Sequence, residues 1–411
     1  MSNQLKSQHK GKLRHRECHI LCFTGAGHGL THMFMILFAP LLGVMADDLE
    51  LSISIMAFYV TVANFCYGVG AIPAGWLGDR LGDKPLLVVF FAGCGLGSLM
   101  VGVSQSVWLL AVGVVILGLA ASIYHPVGIA MISKSVATRG RALGINGIFG
   151  SVGTAAGPAF ASLVAAWTGS WRWAFISLAI PSFLCAVWLY RSSVFDQPIE
   201  DRNAEVPAAG QSIAGKTYLW LFVFLLAAMT CGGVFYHMIL TMLPRQLVVG
   251  GWPNADDNSM LGGILAGVVL VFGAVGQYVA GYLADRYDGR WLYVGSLVLI
   301  IPFVYLIAVA TGYVLLAIAC VGAFFMFSIQ PIENTLIATY APRSWLGVVF
   351  GAKFVFVFGV GGTGSWLSGL LVDGPGLSSV FQVAAVFVTI AALCAFIASQ
   401  VSIASCEHSS A

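Results

Sequence analysis

Long apolar runs separated by short polar joints form the pattern of this chain. A membrane-spanning helix needs about 20 consecutive apolar residues, and twelve runs of this kind follow one another along the 411 residues. Most joints are short, but residues 191–217 collect acidic residues, basic residues and prolines. The pattern predicts an all-α membrane protein in which this longer joint separates six spans from six more.

The predicted spans cover residues 19–44, 52–76, 86–104, 108–132, 142–167, 172–190, 218–243, 261–284, 291–310, 312–338, 346–371 and 378–401. The corresponding organisation is a tail at 1–17, a first bundle at 18–190, a linker at 191–217, a second bundle at 218–401 and a tail at 402–411.

A charged motif occurs once in each half. Asp79-Arg80 follows a glycine by four residues at the end of the second span, and Asp285-Arg286 does the same half a chain length later. His32-Met33 in the first span likewise matches His237-Met238 in the seventh. Repetition of this kind indicates internal duplication. The sequence therefore predicts two pseudo-symmetric six-helix bundles.

Composition and charge narrow the class of protein. Apolar residues make up 59% of the chain and charged residues only 9%, whereas soluble domains carry roughly 25% charged residues, so a soluble enzyme is excluded. Most of the 19 Lys and Arg lie in the tail and joints on the side of Asp79. By the positive-inside rule, both termini are expected in the cytoplasm. The protein is expected in the cell inner (plasma) membrane. The basic residues are interpreted as this orientation signal, so no nucleic-acid partner is expected.

Together these features resemble the major facilitator superfamily. The resemblance rests on twelve spans, the six-plus-six split and Gly75-x-x-x-Asp79-Arg80-x-Gly82 after span 2. It implies alternating access around a central cavity lined by spans 1, 4, 7 and 10. It also implies that the Asp-Arg joints clamp the halves together in one state, a role that would fall to Asp79, Arg80, Asp285 and Arg286. Asp83 stands where the family usually has a basic residue.

Two further motifs are similar to those of exporters within that superfamily. Gly153-Thr-Ala-Ala-Gly157-Pro158 in span 5 resembles the core of the drug–proton antiporter motif, although Ala161-Ser162 stands where the family has Gly-Gly. Tyr124-His125-Pro126 in span 4 resembles the fosmidomycin-resistance type, and the family's span-4 arginine is absent. The motifs imply export and a conformational role for Gly157 and Pro158.

Histidines within the spans are the first candidates for binding chemistry. His28 and His32 are four residues apart and so share one helix face. They are interpreted as neutral imidazoles that join helices, as a cavity pair that binds substrate or a proton, or as part of a metal site. No Cys or carboxylate lies three or four residues from either histidine, so no metal site is expected. Tyr124 and His125 beside Pro126 are candidates because that proline allows a bend.

Polar groups in spans 10 and 11 are the second set of candidates. Gln330, Glu333 and Asn334 lie on one helix face, and Lys353 is the sole cation in the interior of a predicted span, since Arg172 is the first residue of its span. Glu333 and Lys353 are expected to meet, either as a structural pair or as a switch released by a proton or a substrate anion. Asn146 and His237 complete the predicted substrate- or proton-binding set.

The resulting hypothesis is a monomeric secondary transporter that exports a small organic solute, driven by the proton gradient and needing no cofactor. Uptake of an organic anion and transport of a metal ion remain alternatives. An intramembrane enzyme would need a nucleophile and base constellation, which the spans lack. A sensor would need an output domain, for which the longest joint is too short.

Overall fold

The structure is a computed structural model that describes residues 2–136, 139–193, 216–250, 259–341 and 346–409. Side chains are described within 16–136, 142–193, 219–250, 260–341 and 348–401. Most of the predicted linker at 191–217 lies outside these ranges, as do the side chains of residues 1–15 and of the predicted tail at 402–411.

The described residues form fifteen α-helices and no β-strand. In chain order they are α1 (Ser2–Ile36), α2 (Leu42–Asp48), α3 (Ile53–Leu81), α4 (Asp83–Gly102), α5 (Val107–Ala121), α6 (Tyr124–Ser135), α7 (Arg139–Thr168), α8 (Arg172–Arg191), α9 (Lys216–Val249), α10 (Ser259–Ala284), α11 (Gly289–Ile307), α12 (Gly312–Tyr340), α13 (Leu346–Phe354), α14 (Thr363–Asp373) and α15 (Leu377–Ser409).

Twelve segments of the described chain are long and apolar enough to cross a membrane, which confirms the predicted number. Three of these spans consist of two helices each, namely α1 with α2, α5 with α6, and α13 with α14. The helices also extend past the predicted bundle limits. α1 begins at Ser2 within the predicted tail, and α15 continues to Ser409, beyond the predicted end at 401.

The breaks within spans have local causes. In the fourth span the helix stops at Ala121 and restarts at Tyr124. Pro126, in the first turn of α6, has no N–H to donate, and its ring excludes a continuous α-helix through Ser122. The Ser122 hydroxyl instead donates to the Leu119 carbonyl at 2.6 Å. The predicted bend at Pro126 is therefore present. In the eleventh span a π-helical turn at Val355–Val360 follows Lys353.

Contact between the halves is close at the ends of α3 and α10 that lie farthest from Asp79 and Asp285. The Ser54 amide, at the start of α3, donates to the Asp373 carboxylate at 2.9 Å. A Cβ on Gly263, at the start of α10, would meet the Pro158 carbonyl and the Ser162 hydroxyl of α7. The two halves are therefore in contact, and the bundle is closed, at the face opposite the Asp-Arg joints.

Large apolar side chains cover the outside of the bundle. Trp167 is 90% exposed and Tyr313 is 81% exposed. Apolar exposure on this scale would be a liability in water, where large exposed patches promote association. The same surface is the expected one if lipid is the solvent.

Candidate functional site

A cavity of about 210 Å³ lies between the two halves. Both halves supply polar side chains to it, from α1, α6, α7, α10, α12 and α13. Seven predicted site residues line the cavity, namely His28, His32, His125, Gln330, Glu333, Asn334 and Lys353. A central site made by both halves is the arrangement expected of a duplicated transporter bundle.

Three histidines converge on the first-half wall of the cavity. Nε2 of His28 lies 3.2 Å from Nε2 of His32. The ring centroid of His125, on α6, is 5.0 Å from that of His28 and 5.5 Å from that of His32. The i, i+4 spacing placed His28 and His32 on one face as predicted, and only the packing of α6 against α1 adds His125.

A layer behind this wall holds the rings in position. Nδ1 of His28 donates to the Asn146 carbonyl at 2.8 Å, and the Tyr124 ring stacks on His28 at 5.1 Å. The Tyr124 hydroxyl donates to the Thr24 carbonyl and accepts from the Asn146 amide. Tyr124 and Asn146 are buried and do not line the cavity. Both were predicted as binding residues, and in this conformation they contact the histidine layer instead.

The opposite wall carries the predicted pair of embedded charges. Nζ of Lys353 lies 2.9 Å from the Glu333 carboxylate and 2.8 Å from the Asn334 amide oxygen. The Tyr293 hydroxyl of α11 donates to the other Glu333 oxygen at 2.9 Å. Both charged side chains are about 95% buried, at 6% and 5% exposure. The meeting of Glu333 and Lys353 is confirmed, and its role as pair or switch stays a prediction.

Two side-chain hydrogen bonds link the halves beside the Glu333–Lys353 pair. The Ser151 hydroxyl of α7 donates to the Gln277 amide oxygen at 2.8 Å. The Gln277 amide then donates to Gln330 at 2.8 Å. Gln330 therefore contacts the first half through Gln277, a link that crosses the cavity.

His237 lies in a second, smaller cavity of about 50 Å³. His32 lines the same cavity, so the two histidines that match each other in the repeat share one cavity. Nε2 of His237 is buried and has no hydrogen-bond partner among the described residues. Because a buried polar atom without a partner is unfavourable, this nitrogen is available to a solute or a water molecule.

Gly157 and Pro158 lie at helix contacts. A Cβ at Gly157 would overlap Ile36, which shows that this glycine lets α7 approach α1 closely. The Pro158 carbonyl faces Gly263 across the two halves. Gly157 and Pro158 thus occupy the junction of α7 with both α1 and α10, and their conformational role stays a prediction.

The Asp-Arg joints make contacts within their own halves. The Arg80 guanidinium lies 3.9 Å from the centre of the Trp76 ring, and that of Arg286 lies 3.5 Å from the centre of the Tyr282 ring. No ion pair joins Asp79 or Asp285 to a described side chain of the other half. The clamp implied for these residues therefore stays a prediction for a different conformation.

Neighbouring charges in the same joints are paired locally. Asp83, the departure from the family pattern, is 3.2 Å from the Lys134 ammonium and so ties α4 to α6. In the second half, the side-chain hydrogen bonds from Arg290 lower the pKa of Asp288. Both pairs fix the ends of helices within one half.

Two tyrosines of the site were missed by the sequence reasoning. Tyr293 contacts Glu333, and the Tyr67 hydroxyl lies 2.8 Å from Nδ1 of His125. Tyrosine is common near membrane interfaces, so residue type alone did not distinguish these two. Tyr67 lies in mid-span, which is its only sequence signal, and Tyr293 follows the polar joint before α11 and carries none.

The family follows from a comparison with known proteins. Residues 24–363 and 258–403 match the Major Facilitator Superfamily. The chain belongs to this superfamily. The match extends across both bundles and agrees with the duplicated twelve-span fold. It identifies a multi-pass membrane protein that carries out secondary transport of a small solute and is not an enzyme.

Individual members of the superfamily are similar at low identity. The probable sulfoacetate transporter SauU of Cupriavidus necator is 24% identical over 342 residues, or 75% of this chain and 76% of that protein. The uncharacterized MFS-type transporter YfnC of Bacillus subtilis is 23% identical over 394 residues, or 92% of each chain.

The fold also matches a solved structure. A bacterial homologue of the human lysosomal transporter Spinster, in an inward-facing and unoccupied conformation, has a TM-score of 0.79 at 15% identity. The alignment covers 95% of this chain and 98% of that one. At this identity the likeness establishes the shared twelve-helix fold.

Proposed function

We propose that this protein is a proton-coupled exporter of a small organic solute, of the fosmidomycin-resistance or drug–proton antiporter type. Protons and solute would occupy the cavity between the halves in alternation. The observation that carries the proposal is the Glu333–Lys353 ion pair on the cavity wall, 2.9 Å from nitrogen to oxygen.

An embedded ion pair of this kind suits a coupled cycle. Each charge is stable in the low-dielectric interior only while its partner is present. Either a proton on Glu333 or an anionic group of the solute on Lys353 releases the pair. In an exporter the two would do so in turn, so that arrival of one is linked to departure of the other. Proton and solute binding are thereby linked through one lysine.

The export direction is supported by the residues at the junction of the halves. Gly153, Gly157 and Pro158 resemble the drug–proton antiporter motif, and they lie where α7 meets α1 and α10. A change in the angle between these helices would open one face of the cavity as the other closes. The membrane is proposed to be the cell inner (plasma) membrane, with both termini cytoplasmic and the protein monomeric.

Uptake of an organic anion is the second candidate. It is favoured by the similarity to a protein named as a probable sulfoacetate transporter, together with the lysine on the cavity wall. In this case proton and anion would move in the same direction.

The test is transport in proteoliposomes with an imposed pH gradient and a pH-sensitive dye inside. A panel of organic acids and cationic drugs supplies candidate solutes. Solute movement against the direction of proton flow supports export, and movement with it supports uptake. Glu333→Gln should abolish proton movement while solute exchange without a gradient continues.

Asp288→Asn is the matched control, because this exposed carboxylate pairs with Arg290 outside the cavity. The variant should transport protons and solute like the parent protein. Proton coupling that survives unchanged in Glu333→Gln would refute the assigned role of the pair.

A further inference from the structure

The three-histidine cluster has the geometry of a metal site. Among the described residues, His28, His32 and His125 are a group of three metal-ligating side chains whose ligand atoms all lie within 4.8 Å of one another. All three line the central cavity. The His32–Nε2 to His28–Nε2 distance is 3.2 Å. Two imidazoles bound to one tetrahedral Zn²⁺ at about 2.0–2.1 Å place their nitrogens about 3.3 Å apart.

The hydrogen bonds already direct the free nitrogen of His28 towards the cluster. A carbonyl oxygen can only accept, so His28 carries its proton on Nδ1 when it bonds to the Asn146 carbonyl. A neutral His28 therefore presents the unprotonated Nε2 to His32. Metal-binding histidines typically have this arrangement: one ring nitrogen donates to a carbonyl or carboxylate oxygen, and the other ring nitrogen binds the metal.

His125 has a similar support. Its Nδ1 lies 2.8 Å from the Tyr67 hydroxyl and can donate to that oxygen, which leaves Nε2 unprotonated. Binding of a metal then requires His32 to move its proton from Nε2 to Nδ1 and His125 to approach by a small side-chain rotation.

We propose that His28, His32 and His125 bind one borderline divalent transition metal ion, such as Zn²⁺, Ni²⁺ or Co²⁺, from the central cavity. Imidazole ligands favour these ions over Mg²⁺ and Ca²⁺, which prefer oxygen. Three protein ligands leave a fourth coordination position open, and it faces the cavity, where water or a solute oxygen completes the coordination. The site is independent of the direction and proton coupling proposed above.

The charges around the cavity favour a metal site that can release its ion. Three neutral imidazoles leave the ion with its full positive charge, and the Glu333 carboxylate on the opposite wall is already paired with Lys353. An anion from the cavity is therefore the expected fourth ligand. Structural zinc sites, in contrast, are closed by four protein ligands.

The test is Co²⁺ binding to the purified full-length protein in detergent, with Zn²⁺ as competitor. The protein carries an affinity tag without histidine, and His9, His15 and His408 of the tails are replaced by glutamine. We expect one Co²⁺ per chain, with the visible absorption of a tetrahedral ion that Zn²⁺ abolishes and Mg²⁺ does not.

Variants locate the ion. His32→Gln should weaken Co²⁺ binding by more than the roughly 10–100-fold typical of losing an outer partner, and Tyr67→Phe should weaken it by about 10-fold. His19→Gln is the matched control, because it replaces another histidine of α1, one that lies against Trp188 and does not line the cavity. It should leave Co²⁺ binding unchanged.

Gly150→Ala tests the same site if the histidine variants fail to fold. Its Cβ would lie 2.6 Å from the His28 ring, so it displaces that ring without removing a histidine. Absence of tetrahedral Co²⁺ absorption in the parent protein would overturn the proposal. So would binding that persists in His32→Gln and Gly150→Ala, or binding that is lost in His19→Gln.

Discussion

Tyr293 and Lys353 approach the same Glu333 carboxylate from different helices. The hydroxyl of Tyr293 lies 2.9 Å from Oε1 and the ammonium of Lys353 lies 2.9 Å from Oε2. Both oxygens therefore have a donor, which is the condition under which a buried ion pair is tolerated. α11, α12 and α13 meet at this one carboxylate.

Breaking this pair should destabilise the protein, and removing both charges should restore much of the loss. Glu333→Gln leaves a buried ammonium without a counter-charge, for which the cost in the free energy of unfolding is about 3–5 kcal/mol. Glu333→Gln/Lys353→Gln leaves no uncompensated charge. Thermal unfolding in detergent measures both, with Asp288→Asn as the control. A double variant no more stable than Glu333→Gln would contradict this account.

The closed face depends on glycine at the contact between the halves. Gly263→Ala places a methyl group against the Pro158 carbonyl and the Ser162 hydroxyl. Overpacking costs about 1–3 kcal/mol, enough to shift the balance towards the open face by at least about fivefold. The measurement is the rate at which a thiol reagent labels a single cysteine introduced at Thr241 in a variant that lacks the other cysteines. Gly263→Ala should increase this rate.

Gly281→Ala is the control for this effect. It lies on the same helix, and its Cβ would meet nothing within 4 Å. Equal acceleration by Gly281→Ala and Gly263→Ala would show that helix propensity, and not the contact between the halves, sets the labelling rate.

The Asp-Arg joints should matter for the conformational cycle more than for binding. Asp79→Asn and Asp285→Asn remove charges that contact no ion-pair partner in the other half among the described side chains. We expect both variants to bind Co²⁺ normally and to transport solute at least about 10-fold more slowly, as a coupling loss of 1.4 kcal/mol would produce. Transport at the parent rate in both variants would exclude a clamp.

The orientation predicted from the basic residues can be tested by fusion at the C-terminus. A fluorescent protein that folds only in the cytoplasm should be bright when fused after Ala411, and alkaline phosphatase at the same position should be inactive. The reason is that most Lys and Arg lie on the side of Asp79. The opposite result would reverse the topology.

Much of the fold could be predicted because lipid imposes simple rules on sequence. Each span must satisfy its own backbone hydrogen bonds and remain apolar for about 20 residues, so the number of spans is readable from residue types. The break at Pro126 was also predictable from the missing N–H. The π turn at Val355–Val360 was not, because it depends on how glycine-rich α13 and α14 pack against α3 and α9.

The site was predictable only in part. Embedded charges are scarce, so Glu333 and Lys353 could be paired by elimination before their distance was known. Tyr293 and Tyr67 could not be selected among the 13 tyrosines. Their roles arise from contacts between helices that are distant in sequence.

The amino-acid sequence by itself determined a duplicated, twelve-span membrane protein and the identity of its few buried polar groups, because burial of polar atoms in hydrocarbon is costly wherever they occur. Only the tertiary structure decided which of those groups meet. It placed His125 beside His28 and His32, and Tyr124 and Asn146 behind them, since the packing angle between helices, and not the order of residues, sets distances across a bundle.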